Sequence, residues 1–285
     1  MEAAFYKFLK RARVNSKDYG TIILGDSLYP GQISTITQIF DALEADIHDI
    51  YILKSRQLGI STLIRALSIF LIGIHPGLKG AIVFDTAENK NEARAEVEQM
   101  IIDLPGALKF PGIKGNNRSG LTLSNDSKVL FMSAGVKKTK TSGTLGRSVG
   151  LSLAHLSELC SYDNDEGLES FRNSLSDVNP NRLYIYESTA RGFNKWFSLY
   201  SEAKNDPEHC KCIFLGWWSK DTQKISRDHR DFHLYGEEPL TEEEVHKTKY
   251  VKEHYGVDIT DEMWAWYRRR LNPASRAEGV RRRSR

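Results

Sequence analysis

The stretch Leu53-Lys54-Ser55-Arg56-Gln57-Leu58-Gly59-Ile60-Ser61-Thr62 follows the apolar run Ile50-Tyr51-Ile52 and leads into Leu63-Ile64-Arg65-Ala66-Leu67-Ser68-Ile69-Phe70-Leu71-Ile72. It reads as strand, tight polar loop and helix, the arrangement in which the unpaired N–H groups of a helix N-terminus cradle a phosphate. The fit to G-x-x-x-x-G-K-[ST] is incomplete. Gly59 takes the second Gly and Ser61 the hydroxyl, but Ile60 stands where the Lys belongs and Lys54 where the first Gly belongs. A Lys entering from the start of the loop could still reach β/γ phosphates, because a flexible ammonium need only place a point charge. Read alone, the loop is as consistent with an ordinary buried βα turn as with a phosphate site.

The rest of the chain sets bounds on that reading. With 285 residues, 40% apolar and 27% charged, it has room for one large α/β domain or two small ones with an ample core. The apolar run at residues 63–74 is interrupted by Arg65 and Ser68 and closes at His75-Pro76, too short to span a bilayer, so no membrane is expected as a partner. Residues 1–13 are polar and mixed in charge, unlike a signal peptide. Cys160, Cys210 and Cys212 make neither a disulfide framework nor a zinc site, and a reducing cytoplasm is expected. The formal charge of +3 conceals a division: residues 268–285 hold eight Arg and one Glu, which leaves −4 on residues 1–267. Any nucleic-acid contact of the body must therefore be local. The segment 268–285 has no hydrophobic period and is expected to be a basic, disordered tail.

Upstream of the loop, Tyr29-Pro30-Gly31-Gln32 precedes an amphipathic run in which Ile33, Ile36, Ile39, Phe40 and Leu43 recur at helical spacing. The Gln32 amide offers a donor and an acceptor together, which suits adenine, although a Gln at a helix start also reads as a surface residue. Downstream, Gly80-Ala81-Ile82-Val83-Phe84 has the continuous apolar character of a buried parallel strand. A helix carrying Val97, Ile101 and Leu104 ends at Pro105, and residues 121–123 and 129–132 form a hairpin across Asn125-Asp126. The basic loop Lys137-Lys138-Thr139-Lys140 reads either as a solvated surface or as a DNA contact.

A strand over residues 149–156 ends in Ser157-Glu158. Another, Leu183-Tyr184-Ile185-Tyr186, ends in Glu187-Ser188-Thr189-Ala190-Arg191-Gly192 and enters a helix over 193–200, and Cys212-Ile213-Phe214-Leu215 is a further strand. Strands alternating with helices predict a mostly parallel central sheet flanked by helices. The loops at 54–62, 157–158 and 187–192 should then gather at the carboxyl edge of that sheet, where such folds bind ligands. A helical segment at about 220–267 follows, opened by a capping box of Thr241 and Glu244, with Trp264, Trp266 and Tyr267 expected to pack inward.

A carboxylate ending the strand next to a P-loop strand is placed to orient a water in line with a γ-phosphate, and Glu158 has that position. Ser157 stands where an Asp would direct Mg²⁺, and a hydroxyl can hold a metal-bound water by hydrogen bonding. Together these segments resemble the packaging ATPase domain of the large terminase subunit of tailed phages. The Arg56-Gln57-Leu58-Gly59-Ile60-Ser61-Thr62 loop is similar to that family's divergent Walker A, His155-Leu156-Ser157-Glu158 to a Walker B variant, residues 187–192 to its coupling motif and residues 29–32 to its adenine-reading Q motif.

The resemblance covers roughly residues 25–270 and implies an ASCE/RecA-like P-loop NTPase over residues 1–267, using ATP and Mg²⁺. It implies nucleotide contacts from Gln32, Lys54, Ser55, Arg56, Gln57, Gly59, Ser61 and Thr62, metal contacts from Ser61 and, through water, Ser157, and coupling through Ser188, Thr189 and Ala190. Arg147, ahead of the Walker B strand, matches the place of an arginine finger, worth about 10³ to 10⁵ in rate in other NTPases; a surface or DNA-contacting Arg is the other reading. Lys137, Lys138 and Lys140 would line a DNA channel. The implied partners are double-stranded DNA, a portal protein, a small terminase subunit and further copies of the chain in a five-membered ring on a procapsid, in the host cytoplasm. A nuclease half would follow residue ~280 at usual domain lengths. Asp and Glu almost vanish after Glu262, so an isolated or truncated ATPase domain without nuclease activity is expected. A superfamily 2 helicase-like ATPase, or a degenerate P-loop scaffold that is not an enzyme, are the alternatives.

Overall fold

The computed structural model describes residues 1–16, 19–134 and 150–271. Two units divide after Leu215. The first runs α1 (Glu2–Leu9), β1 (Arg13–Ser16), β2 (Gly20–Ile23), α2 (Pro30–Glu44), β3 (Asp49–Lys54), α3 (Ile60–Ile74), β4 (Lys79–Phe84), α4 (Ala87–Ile102), β5 (Ile113–Asn117), β6 (Gly120–Leu123), β7 (Lys128–Ser133), β8 (Leu153–Ser157), α5 (Asp165–Arg172), β9 (Leu183–Ser188), α6 (Lys195–Lys204) and β10 (Cys210–Leu215). The sheet order is β10-β3-β9-β8-β4-β7-β6-β5. The six strands from β10 to β7 are parallel, and β6 and β5 extend the sheet antiparallel.

Side-chain alternation assigns the two faces. Ile50 and Ile52 of β3, Ile82 of β4, Leu153 of β8 and Ile185 of β9 pack with α1, α2, α3 and α4 in one core. Their sequence neighbours Tyr51, Ala81, Val83, Ala154, Tyr184 and Tyr186 pack with α5 and α6 in the other. This is the two-residue period of a strand covered on both sides. Helix α3 is buried along most of its length, which explains why its sequence is apolar nearly all round.

The mostly parallel sheet read from the sequence is present, with four differences of detail. Strand β9 lies between β3 and β8, so the strand ending at Glu158 is not the immediate neighbour of the loop's strand. Ile33 is 44% exposed, because the buried stripe of α2 runs through Gln32, Thr35, Ile36 and Ile39 and leaves Ile33 beyond its edge. Helix α6 starts at Lys195 rather than at 193, since the Asn194 side chain accepts from the Phe197 N–H as N-cap and leaves Phe193 outside, 91% exposed. The β1–β2 ribbon, β5 and α5 carry too short a period to be read in advance.

The second unit holds α7 (Arg230–Tyr235), α8 (Glu242–Tyr255) and α9 (Asp261–Leu271). The Thr241–Glu244 capping box is formed, and Trp264 is buried with its Nε1 donating to Thr248 Oγ1 at 3.1 Å. Trp217 stacks on Tyr267 at 4.8 Å. Helix α9 continues through Leu271, past the boundary at 267 drawn from sequence, because Arg268 is a structural residue. It donates to both Glu244 oxygens, at 2.8 and 2.6 Å, and to the carbonyls of Tyr235, Glu238 and Pro239. Residues 272–285 lie outside the described residues.

Hydrogen bonding from Arg268 holds the Glu244 carboxyl at about 2, against its ordinary 4.5. A depressed carboxylate contributes stability that is full above the unfolded value and is lost as pH falls towards the folded one. Arg268→Ala is therefore expected to lower stability by roughly 1–3 kcal/mol at neutral pH. In thermal melts that deficit should shrink between pH 4.5 and about 2.

Candidate active site

Helix α3 begins where the chain turns through two left-handed residues, Gln57 (φ 64°) and Gly59 (φ 69°). Gly59 is the N-cap, and the first helical bond runs from Leu63 N to its carbonyl, so the N–H groups of the first turn face out of the helix end. The turn is braced from two sides. Ser55 N donates to Leu215 O at 2.8 Å, and Gln32 Nε2 donates to Gly59 O at 3.1 Å while Gln32 Oε1 accepts from Tyr29 N at 2.9 Å. Gln32 is thus buried as the link between the start of α2 and the loop.

A Cβ at Gly59 would lie 2.7 Å from Gln32 Nε2, and the left-handed backbone disfavours any L side chain. Gly59→Ala is expected to destabilise by roughly 1–2 kcal/mol, seen as a lowered thermal midpoint, and to weaken whatever binds the helix end.

Three loops meet beside this turn. Lys54 closes β3 on the same face as Ile50 and Ile52, and its Nζ donates to Glu158 Oε1 at 3.0 Å. The Lys54 side chain is 7% exposed and that of Glu158 33%. Glu158 itself is left-handed (φ 55°), an uncommon backbone for a residue other than glycine. Thr189 Oγ1 donates to Glu158 Oε2 at 3.4 Å, and Ser188 Oγ accepts from Cys160 N at 2.9 Å. Ala190 is exposed.

Beside the ion pair lies a carboxylate that the sequence reading placed at the head of the 187–192 segment without a contact of its own. Glu187 is fully buried; it accepts from Ser157 Oγ at 2.7 Å, and His155 Nε2 is 3.2 Å from the same oxygen. Burial pushes its carboxyl up, but Lys54, then His155 and the Ser61 hydroxyl, hold it well below the usual carboxylate range. Burial likewise disfavours the charged Lys54, and Glu187 and Glu158 outweigh it, so the ammonium stays above its ordinary value. The signal that could have found Glu187 is its parity: it shares the α3-facing alternation of Leu183 and Ile185, so a charge there must be buried and paired.

The other residues picked out by sequence are placed as follows. Ser61 sits in the first turn of α3 beside Glu187, and the Thr62 hydroxyl accepts from Arg65 Nη2 at 3.1 Å, with Arg65 also held by Glu96 at 2.6 Å. Ser55 is half-buried, while Arg56 and Gln57 are exposed. Arg147 and the lysines 137, 138 and 140 lie outside the described residues. Among the described residues no three His, Cys, Asp or Glu side chains cluster as a ready-made metal cage. One hydroxyl and one buried carboxylate at a helix end fit Mg²⁺ carried on phosphates, since Mg²⁺ takes few protein ligands and keeps its waters. No helix among the described residues is long and apolar enough to cross a membrane.

No protein-family description matches the chain, and no curated protein matches it. Solved structures do. The large terminase of bacteriophage HK97 superposes with TM-score 0.59 at 17% identity, over 80% of this chain and 45% of that one. A variant of the Thermus phage P74-26 large terminase ATPase domain gives 0.51 at 13%, over 66% and 81%. A large terminase from a thermophilic bacteriophage, solved with ATP-gamma-S, gives 0.53 at 9%, over 75% and 50%. The chain thus spans about half the length of the whole terminases it matches. At these identities the likeness establishes the fold alone, a mostly parallel sheet flanked by helices as in those terminase structures.

Proposed function

We propose that this chain is the ATPase domain of a phage large terminase, a motor that hydrolyses ATP to drive double-stranded DNA into a procapsid. The observation that carries the reading is the convergence of Lys54 and Glu158, 3.0 Å apart, at the N-terminus of α3. A helix end with outward N–H groups and an adjacent cation suits triphosphate oxygens, and a carboxylate two strands over suits a water attacking the γ-phosphate. The HK97 likeness and the neighbour solved with ATP-gamma-S support the same reading.

In this mechanism the Gly59–Thr62 backbone holds the β-phosphate and Lys54 the β/γ oxygens, with Arg56 as a second cation from the exposed side of the loop, next to Ser55 and Gln57. Gln32 uses its remaining N–H and lone pair at adenine while bracing Gly59. Mg²⁺ would be held by Ser61 and, through water, by Ser157, whose hydroxyl lone pairs can accept from that water; the ion supplies neutralisation of charge on the phosphate oxygens. Phosphate competes with Glu158 for Lys54, and the freed carboxylate takes the proton of the attacking water. Ser188, Thr189 and Ala190 follow Glu158, because Thr189 is hydrogen-bonded to it and so moves with nucleotide state. Arg147 completes a neighbouring copy's site in a ring, and Lys137, Lys138 and Lys140 contact DNA; portal and small subunit partners belong to the same reading.

The test is titration of the 285-residue chain with a fluorescent ATP analogue, followed by ATP turnover with and without double-stranded DNA. Saturable binding and hydrolysis are expected. A chain that binds no nucleotide would refute the proposal.

A further inference from the structure

Strand β8 ends in a hydroxyl, Ser157, where a carboxylate directed at a nucleotide's metal would stand. We propose that Glu187, on the neighbouring strand β9, supplies the carboxylate that β8 lacks and orients the waters of a nucleotide-bound Mg²⁺ against Ser61. The inference rests on the nucleotide-site reading above.

The sheet brings the two positions together. Ser157 and Glu187 are partners in the parallel β8–β9 register, and both point to the face covered by α3, the helix whose first turn carries Ser61. Moving a carboxylate from one strand to the partner position on the next displaces it by about one strand spacing, ~4.8 Å. A Glu, one methylene longer than Asp, recovers part of that distance. The Ser157 hydroxyl donates to Glu187 Oε1 at 2.7 Å, which fixes the carboxylate's rotation and leaves the hydroxyl lone pairs for a water of the same ion. The His155 Nε2 lies 3.2 Å from the same oxygen.

What remains is Oε2, which is buried and accepts no hydrogen bond of normal geometry among the described residues. A buried carboxylate oxygen left so is a functional signal, because buried polar atoms are otherwise satisfied. Lys54 neutralises Glu187 but is itself committed to Glu158 Oε1. Orienting a metal's waters is a distinct task from holding Lys54, and the two make different forecasts.

Binding of a non-hydrolysable fluorescent ATP analogue to the full chain, measured in Mg²⁺ and in EDTA, separates them. Wild type should bind more tightly in Mg²⁺. Glu187→Gln should lose about 10- to 100-fold of affinity in Mg²⁺, as outer-sphere partners of metals do, and little or none in EDTA. The double variant Ser157→Asp/Glu187→Gln, which returns a carboxylate to β8, should regain the Mg²⁺ increment. Should Glu187→Gln fail to fold, Glu187→Asp keeps the charge facing Lys54 and should still cut the increment. An equal loss in both conditions would assign Glu187 to Lys54 alone and overturn the proposal, as would a variant that keeps the full increment. A wild type that binds no nucleotide in either condition would overturn the functional reading, and this inference with it.

Discussion

Glu158→Gln is expected to stop ATP turnover while leaving nucleotide binding intact or tighter. The carboxylate is the exposed partner of the Lys54–Glu158 pair, at 33% against 7%, so it is the member able to reach a water at the site's mouth. An amide keeps the shape of the side chain but cannot take a proton, and loss of a general base lowers the rate by about 10²- to 10⁴-fold. That corresponds to roughly 3–5 kcal/mol of transition-state stabilisation. Binding should move the other way. Without nucleotide, Lys54 is held by Glu158 at 3.0 Å, an interaction that phosphate must displace; a neutral Gln weakens the competitor. Turnover equal to wild type would remove Glu158 from the role of base, and loss of turnover together with binding would make it a binding residue instead. Single-turnover hydrolysis and analogue titration on the same preparation give both numbers.

The left-handed backbone of Glu158 belongs to the same argument. A non-glycine residue held at φ 55° carries strain of order 1–3 kcal/mol and persists where surrounding contacts fix it. Its side-chain contacts come from β3 through Lys54 and from the 187–192 segment through Thr189, and its carbonyl accepts from Ser161 N at 2.9 Å. In the proposed mechanism, release of Lys54 to a phosphate would remove one of the two side-chain contacts, and the 187–192 segment would respond to nucleotide through the other.

The sheet was legible because its strands carry apolar runs of four or five residues bounded by polar loops, as at 80–84 and 183–186, and the helices between them are long. The loop at 54–62 was legible as strand, turn and helix. What sequence could not supply was the lateral order of strands. Nothing in residues 149–188 states that β9 inserts between β3 and β8, and that insertion is what places Glu187 under Lys54. The exposed Phe193 and the continued helix at Arg268 escaped for a local reason. Each depends on side-chain hydrogen bonding that outweighs the hydrophobic period: the Asn194 cap accepting from Phe197 N–H, and Arg268 donating to Glu244 and to the carbonyls of Tyr235, Glu238 and Pro239.

Lys54→Met should have the second large effect, on stability and binding together, and it decides which cation replaces the lysine missing at position 60. The ammonium is nearly enclosed and neutralises Glu187, which is 0% exposed. Removing one partner of a buried pair leaves an uncompensated charge and costs about 3–5 kcal/mol, although Met preserves most of the stem's packing. Arg56 is exposed, so Arg56→Ala should change stability by no more than ~0.5 kcal/mol. If Lys54 is the phosphate cation, Lys54→Met should abolish analogue binding and Arg56→Ala should weaken it only modestly; the reverse ranking would give the role to Arg56. Stability and binding are separated by a double-mutant cycle. Adding Glu187→Gln to Lys54→Met removes the orphaned charge and should restore part of the lost thermal midpoint, because the two side chains act on one another. It should restore none of the binding, since the phosphates still lack their cation.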